Sequence, residues 1–219
     1  MEHDFWHNCW ETNEIGFHLS QPHESLARYW NKVQAKAGST VLVPLCGKTH
    51  DLVWLANQGH AVIGVELSQK AVETFFEEQK LTATIDQFGP YKRYRCDNIT
   101  ILCGDFFALT DEHTGELGAL YDRAATVALP EDMRQSYAQK LLELLPAGCR
   151  SLTITHEYNQ TEMPGPPFSV PPQTLPDLFD QHITLEHLET IELLDLVPRM
   201  AERGLSSFKE HSMILTFNP

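Results

Sequence analysis

Long apolar runs are missing from the sequence, and no stretch approaches the roughly 20 apolar residues of a membrane-spanning helix. The start of the chain, MEHDFWHNCW, has neither the basic flank nor the apolar core of a signal peptide. We therefore expect a cytoplasmic protein without a membrane partner. With 219 residues, the chain is long enough to bury about 70% of its unfolded surface around one core.

Basic residues are scarce. The chain has 16 Lys and Arg against 30 Asp and Glu, which gives a formal net charge of −14 at pH 7. A surface of this sign repels a phosphate backbone, so we expect no nucleic-acid partner.

Disulfide and metal patterns are also missing. The five cysteines lie far apart without a C-x-x-C pair, which indicates reduced thiols. His3 and His7 have the i, i+4 spacing of metal ligands, but the sequence contains no H-E-x-x-H. We therefore expect solvated histidines and no metal site.

Hydrolase patterns are absent as well, because the sequence contains no G-x-S-x-G and no recognisable motif of a Ser-His-Asp triad. No residue is assigned as a catalytic acid or base. Cys46 lies in a glycine turn and could be a nucleophile, but we favour a packing role for this small side chain.

Residues 41–68 read VLVPLCGKTHDLVWLANQGHAVIGVELS and contain the most informative pattern. A β-branched run stops at a turn around Gly47, a helical stretch follows, and a second strand ends on Glu66, about 20 residues beyond the turn. This spacing is typical of a nucleotide-binding βαβ unit, in which Glu66 accepts hydrogen bonds from ribose hydroxyls. Because G-x-G-x-x-G is incomplete, an ordinary α/β crossover with an exposed Glu66 remains an alternative.

Asp105 and Phe106 follow the apolar run 99–102, at the tip of a third predicted strand. Open α/β sheets bind ligands at these tips. Phe106 could stack on an adenine and Asp105 could accept its exocyclic amine. A turn stabilised by Asp105, without any ligand, is the alternative.

The remaining chain continues the α/β pattern. An aromatic helical cap is predicted over 1–38, a loop or irregular strand pair over 82–98, and two antiparallel strands over 185–197 and 207–217, joined by a turn over 198–204. We predict an α/β fold: a Rossmann-like, mostly parallel sheet of seven strands with a C-terminal antiparallel hairpin and helices on both faces. The chain is predicted to be one domain, with the cap at 1–38, a donor-binding core at 39–160 and a substrate loop and hairpin at 161–219.

A stiff, proline-rich loop over 163–168 follows the fifth predicted strand. Phe168 at its end and Tyr158 before it are predicted to line the substrate site. Asp122 and Arg123 end the fourth strand, where such a pair is often only a structural ion pair.

The order of elements and the segments FWHNCW, IGFH, CGDFFAL, YDRAATVALP, ITHEYNQ and GPPFSVP resemble the bacterial branch of the thiopurine S-methyltransferase family, within the class I S-adenosylmethionine-dependent methyltransferases. The resemblance covers nearly the whole chain. It implies a monomeric enzyme that methylates the sulfur of aromatic and heterocyclic thiols. Three positions, Cys9, His156 and Asn159, depart from the pattern expected of bacterial members.

Carried over by position, the resemblance implies a set of donor contacts at Trp10, Leu45, Glu66 and Arg123, with Asp105 and Phe106 near the adenine. Phe17, Arg123 and Arg199 would face the acceptor. Three alternatives stay open: a methyltransferase for halide, thiocyanate or selenium and tellurium species, a non-catalytic nucleoside-binding protein, and a nicotinamide oxidoreductase.

Overall fold

The computed structural model describes residues 3–219, with side chains from Phe5 onward. The first two residues of the predicted cap and the side chain of His3 lie outside this part. The chain divides into two compact units, one ending at Tyr121 and one spanning Asp122–Pro219. The predicted single domain over 1–219, with its three segments, stays a prediction.

Helices and strands alternate along most of the chain. The helices are α1 (His3–Thr12), α2 (Glu24–Tyr29), α3 (Asp51–Asn57), α4 (Gln69–Glu78), α5 (Asp111–Thr114), α6 (Glu131–Leu144), α7 (Leu175–Leu178) and α8 (Pro198–Glu202). The strands are β1 (Thr40–Pro44), β2 (Ala61–Glu66), β3 (Thr84–Phe88), β4 (Tyr91–Cys96), β5 (Ile99–Cys103), β6 (Leu117–Arg123), β7 (Arg150–Glu157), β8 (Ile183–Glu192) and β9 (Lys209–Phe217). Short 3₁₀ turns cover 30–33, 106–108, 126–128 and 172–174.

Strands of the first unit follow the spatial order β3-β4-β5-β2-β1-β6. The four strands β5, β2, β1 and β6 are parallel to one another. In β1 and β2 every residue after the first is buried, as expected for parallel strands that are covered on both faces. The βαβ unit predicted over 41–68 is therefore confirmed as β1, α3 and β2.

Residues 82–98 form the antiparallel strands β3 and β4, so the strand-pair alternative is confirmed. Tyr91 and Tyr94 are buried, and Asp86 pairs across the two strands with Arg93. With this pair the described chain contains nine strands rather than the predicted seven. The many polar residues of 82–98 hid the strands, because one face of the pair is charged.

In the second unit β9 lies between β7 and β8 and is antiparallel to both, which confirms the predicted hairpin. The hairpin boundaries differ from the prediction, because β8 ends at Glu192 and 198–202 form helix α8 instead of a turn. Pro198 suits the first turn of a helix. Leu193, Leu194 and Val197 leave the strand to pack against a buried cluster of Tyr158, Met163, Met200, Leu205 and Phe208.

Helix signals in the sequence are also confirmed. The Ser68 side chain caps α4 by accepting a hydrogen bond from the Ala71 N–H at 3.3 Å. Pro130 precedes α6, and Glu131 and Asp132 stand in its first turn. No helix of the described residues is long and apolar enough to cross a membrane.

Candidate active site

Glu66, at the carboxyl end of β2, is the anchor of the candidate site. Its Oε2 accepts a hydrogen bond from the Gly47 N–H at 2.8 Å, and its Oε1 accepts one from the Ser68 N–H at 2.8 Å. The side chain is buried, which raises the pKa of its carboxyl, while the surrounding N–H donors oppose that shift. This burial disfavours the alternative of an exposed Glu66. Since each carboxylate oxygen can accept about two hydrogen bonds, both oxygens keep capacity for further donors.

The turn after β1 supplies the Gly47 N–H that holds this carboxylate. Leu45 has φ 49° and Gly47 has φ 54°, both in the left-handed region. Such a backbone is uncommon for a leucine, and strain of this kind often marks functional sites. A Cβ added at Gly47 would come within 3.1 Å of the Trp10 ring, so the close approach of Trp10 requires glycine here.

Two aromatic side chains cover the same turn. The Trp10 and Phe17 rings meet edge to face with their centroids 5.6 Å apart. The Phe17 ring also lies 3.9 Å from the Cβ position of Gly47. The structure therefore groups Phe17, which was predicted to face the acceptor, with the predicted donor residues Trp10 and Leu45.

The tip of β5 lies beside Glu66, because Cys103 pairs with Glu66 and the Gly104 N–H donates to the Glu66 carbonyl at 2.9 Å. Asp105 follows directly, and its Oδ1 accepts from the Phe107 N–H at 3.0 Å. Phe106 is 3% exposed, so its ring is largely covered by protein. Asp105 and Phe106 are thus placed at the same sheet edge as Glu66, although part of the Asp105 carboxylate stabilises its own turn.

Cys46 packs below the turn. Its Sγ lies 2.7 Å from where a Cβ of Gly64 would be, which only a glycine permits. Burial, together with the nearby Glu66, raises the pKa of the Cys46 thiol well above its usual range. A thiol that stays protonated is a poor nucleophile, so the packing interpretation is favoured.

In the second unit, Asp122 and Arg123 end β6 without forming an ion pair. The Asp122 carboxylate is buried and accepts from Thr126 Oγ1 at 2.5 Å and from the Tyr137 hydroxyl at 2.9 Å. Burial raises the pKa of Asp122 despite these donors. The Arg123 guanidinium has no carboxylate partner among the described residues, so the structural ion pair considered from the sequence is not formed.

Tyr158 stabilises the proline-rich loop through hydrogen bonds of its hydroxyl group. The Tyr158 hydroxyl donates to the Pro167 carbonyl at 2.7 Å and accepts from the Gln160 amide at 2.9 Å. Burial raises the pKa of the Tyr158 phenol. Tyr158 is buried, whereas Phe168 is half-buried with the Arg134 guanidinium 6.0 Å from its ring centre. Phe168 therefore remains the more accessible of the two predicted substrate residues.

Arg199, on α8, completes the predicted substrate residues. Partial burial lowers the pKa of its guanidinium, and the positive charges of Arg203 and Arg123 lower it further. Arg123 and Arg199 are therefore near enough to repel each other.

Several residues of these sites were missed from the sequence. Ser68 was predicted only as a helix cap, yet its N–H also holds Glu66. Tyr91 donates from its hydroxyl to the Asp105 carbonyl at 2.8 Å and packs on Gly104. Arg134 and Arg203 reach the proline-rich loop from two helices. No short motif marks any of these roles.

The described residues contain no group of three or more His, Cys, Asp or Glu side chains that could hold a metal ion.

Proteins similar to this chain agree on one family. The family model for thiopurine S-methyltransferase matches residues 1–218. The thiopurine S-methyltransferase of Pseudomonas aeruginosa is 47% identical over 215 residues, which cover 98% of this chain and 99% of the relative. That of Pseudomonas putida is 47% identical over 210 residues, which cover 96% of this chain and 97% of the relative.

Solved structures with much lower identity share the fold. The YcgJ protein from Bacillus subtilis has a TM-score of 0.66 at 13% identity, covering 90% of this chain and 99% of its own. The 1,6-didemethyltoxoflavin-N1-methyltransferase of Burkholderia thailandensis, solved with bound 1,6-didemethyltoxoflavin and S-adenosylhomocysteine, has a TM-score of 0.65 at 14% identity, covering 99% of this chain and 87% of its own.

Proposed function

The chain belongs to the thiopurine S-methyltransferase family, and from this membership we propose that it methylates the sulfur of aromatic and heterocyclic thiols of the thiopurine type. The methyl donor is S-adenosylmethionine. The predicted α/β fold, a Rossmann-like class I methyltransferase, is confirmed by the solved structures.

The observation that carries the proposal is the link between Glu66 and the turn after β1. A buried carboxylate whose two oxygens each accept one backbone N–H still has capacity for the two hydroxyls of a ribose. Gly47 leaves room where a side chain would clash with Trp10. The residues present therefore fit a nucleoside whose ribose is held by Glu66.

The other donor contacts are proposed from the family resemblance. Trp10 offers an aromatic face, which attracts a sulfonium cation. The Leu45 backbone, strained at φ 49°, would hold the amino-acid end. Asp105 and Phe106 would contact the adenine, and Arg123 would pair with the carboxylate of the donor, a planar partner suited to a guanidinium.

When bound, S-adenosylmethionine supplies an electrophilic methyl group on a positively charged sulfur. A thiolate can attack the methyl carbon and displace S-adenosylhomocysteine, a neutral thioether, so the transfer needs no acid or base catalysis. The chain would contribute alignment and exclusion of water, effects that can supply about 7–11 kcal/mol. Phe17, Tyr158 and Phe168 would confine the acceptor. Arg199 would keep its thiolate in the anionic form, with Arg123 nearby.

We also propose a cytoplasmic monomer that acts on a small-molecule thiol, with no nucleic-acid or membrane partner. The net charge of −14 supports the absence of nucleic acid. A methyltransferase could also act on two other acceptor classes: halide or thiocyanate, and selenium or tellurium species. Only experiment distinguishes these acceptors from thiols.

The experiment combines calorimetry with an acceptor screen. We expect the purified chain to bind S-adenosylhomocysteine in a 1:1 ratio and not to bind NAD. With radiolabelled S-adenosylmethionine, we expect label on thiophenols and thiopurines, and none on iodide or thiocyanate. Binding of NAD would support an oxidoreductase. Binding of the donor without transfer to any acceptor would support a non-catalytic protein. Label on halide alone would support the alternative methyltransferase.

A further inference from the structure

The arginines of this acidic chain fall into two groups. Arg28, Arg93, Arg95 and Arg150 each have a carboxylate oxygen between 2.5 and 3.8 Å away. Among the described residues, the other four have no carboxylate within 4.0 Å: Arg123, Arg134, Arg199 and Arg203. All four lie in the second unit, although acids outnumber bases 30 to 16 in the chain.

Arg134 and Arg203 act on the proline-rich loop from different helices. Arg134 Nη1 donates to the Ser169 carbonyl at 3.3 Å, and Arg203 Nη1 donates to the Pro166 carbonyl at 3.3 Å. Both positive charges lower the pKa of the Tyr158 phenol against the larger effect of burial. Each guanidinium has five N–H donors and uses one of them here, so most of its donors remain available to an anion.

Glu162, the acid directly before this loop, is already engaged. Glu162 Oε2 accepts from the Ser206 N–H at 2.8 Å, and Oε1 accepts from the Ser206 hydroxyl at 2.8 Å. These hydrogen bonds lower the pKa of Glu162, and no arginine contributes to that shift. Glu162 therefore connects the loop to the segment before β9 and forms no ion pair with Arg134 or Arg203.

Four arginines that have no carboxylate within 4.0 Å among the described residues favour a ligand with more than one negative charge, although the more distant Glu131 attracts the Arg134 guanidinium. In the proposed function, Arg199 binds the thiolate of the acceptor and Arg123 binds the carboxylate of the donor. We propose, on the basis of that function, that Arg203, assisted by Arg134, binds a second anionic group on the acceptor. The preferred acceptors are then aromatic or heterocyclic thiols that carry a carboxylate.

The test uses two acceptors that differ only in this group, 4-mercaptobenzoate and the neutral 4-mercaptobenzamide. In the unaltered chain we expect the higher kcat/KM for the benzoate, with a preference that shrinks as salt screens the arginines. In Arg203→Gln the ratio of the two kcat/KM values should fall by about tenfold, as expected when a hydrogen bond to a charged group is lost. Arg203→Lys should give an intermediate ratio, because it keeps the charge but not the planar donors.

Arg95→Gln is the matched control, since it removes one exposed arginine that has its own carboxylate partner, Asp86. Its acceptor ratio should equal that of the unaltered chain. An Arg203→Gln ratio that does not change would overturn the proposal. An equal loss for both acceptors with a lower Tm would show a structural role, and a matching loss of S-adenosylhomocysteine affinity would assign Arg203 to the donor.

A second measurement separates this proposal from the proposed function. Calorimetric titration with 4-(methylthio)benzoate and its amide needs no turnover. A tenfold weaker Kd for the benzoate in Arg203→Gln would support the anion site even if neither thiol were methylated, an outcome that would reject the proposed function alone. Equal affinities of the unaltered chain for the two compounds would overturn the anion site.

Discussion

The two units differ in the polar groups that we assign to ligand binding. In the first, one buried carboxylate, Glu66, is oriented by the backbone N–H groups of Gly47 and Ser68. In the second, Arg134 and Arg203 donate to the Ser169 and Pro166 carbonyls, and neither arginine has a carboxylate within 4.0 Å among the described residues. We therefore infer that donor recognition depends on backbone positions set by the fold, whereas acceptor recognition depends on side chains that single substitutions can replace.

This contrast has an energetic basis. A buried carboxylate held by backbone donors is oriented before the ligand arrives, so binding costs little additional ordering. The Arg203 side chain is exposed and the Arg199 side chain is only partly buried, so each loses side-chain freedom when it binds an anion. We therefore infer that acceptor preference changes more readily among relatives than donor preference does.

The largest expected effect comes from Glu66→Ala. Loss of the carboxylate removes two hydrogen bonds to a charged acceptor, so the affinity for S-adenosylhomocysteine should weaken by about 1.5–3 kcal/mol in calorimetry. Glu77→Ala, which removes an exposed carboxylate from the nearby helix α4, should bind as the unaltered chain does. Unchanged affinity in Glu66→Ala would refute the ribose assignment.

Glu66 also joins β2 to the turn, so a loss of folding must be separated from a loss of binding. Glu66→Gln keeps one oxygen acceptor and should retain more affinity than Glu66→Ala. If Tm falls equally in both variants while the affinity per folded molecule is constant, Glu66 stabilises the turn only.

The variant Arg123→Lys tests whether the residues that bind the donor all belong to the first unit. Arg123 belongs to the second unit, yet we assign it mainly to the donor carboxylate. Because Lys cannot make the bidentate contact, the KM for S-adenosylmethionine should rise by about tenfold, with acceptor KM and Tm nearly constant. A rise confined to the acceptor KM would place Arg123 wholly with Arg199.

The smallest effect concerns the aromatic segment before β1. Residues 1 to about 20 are proposed to order over the donor, because the rings of Trp10 and Phe17 cover Gly47. Amide exchange over 3–20 should slow by about threefold or more when S-adenosylhomocysteine is added, while the β8 and β9 amides serve as an internal control. Identical exchange with and without ligand would make this segment a fixed part of the core.

Local patterns in the sequence determined most of the first unit. The alternation of apolar runs and turns predicted β1, α3 and β2, and the spacing from Gly47 to Glu66 predicted their connection. Ser68 and Pro130 predicted the starts of α4 and α6. These features are readable because hydrophobic periodicity and helix capping act between residues a few positions apart.

Only the tertiary structure decided which distant side chains share a surface. Arg134 and Arg203 lie in α6 and just after α8, yet both donate to carbonyls of one loop. Whether an arginine has a counter-ion depends on where every nearby acid points, as the engagement of Glu162 by Ser206 illustrates. The composition gives an excess of negative charge over the whole chain. Folding nevertheless brings Arg134 and Arg203, which have no carboxylate within 4.0 Å among the described residues, to one loop. Contacts between remote segments follow from packing and not from sequence spacing.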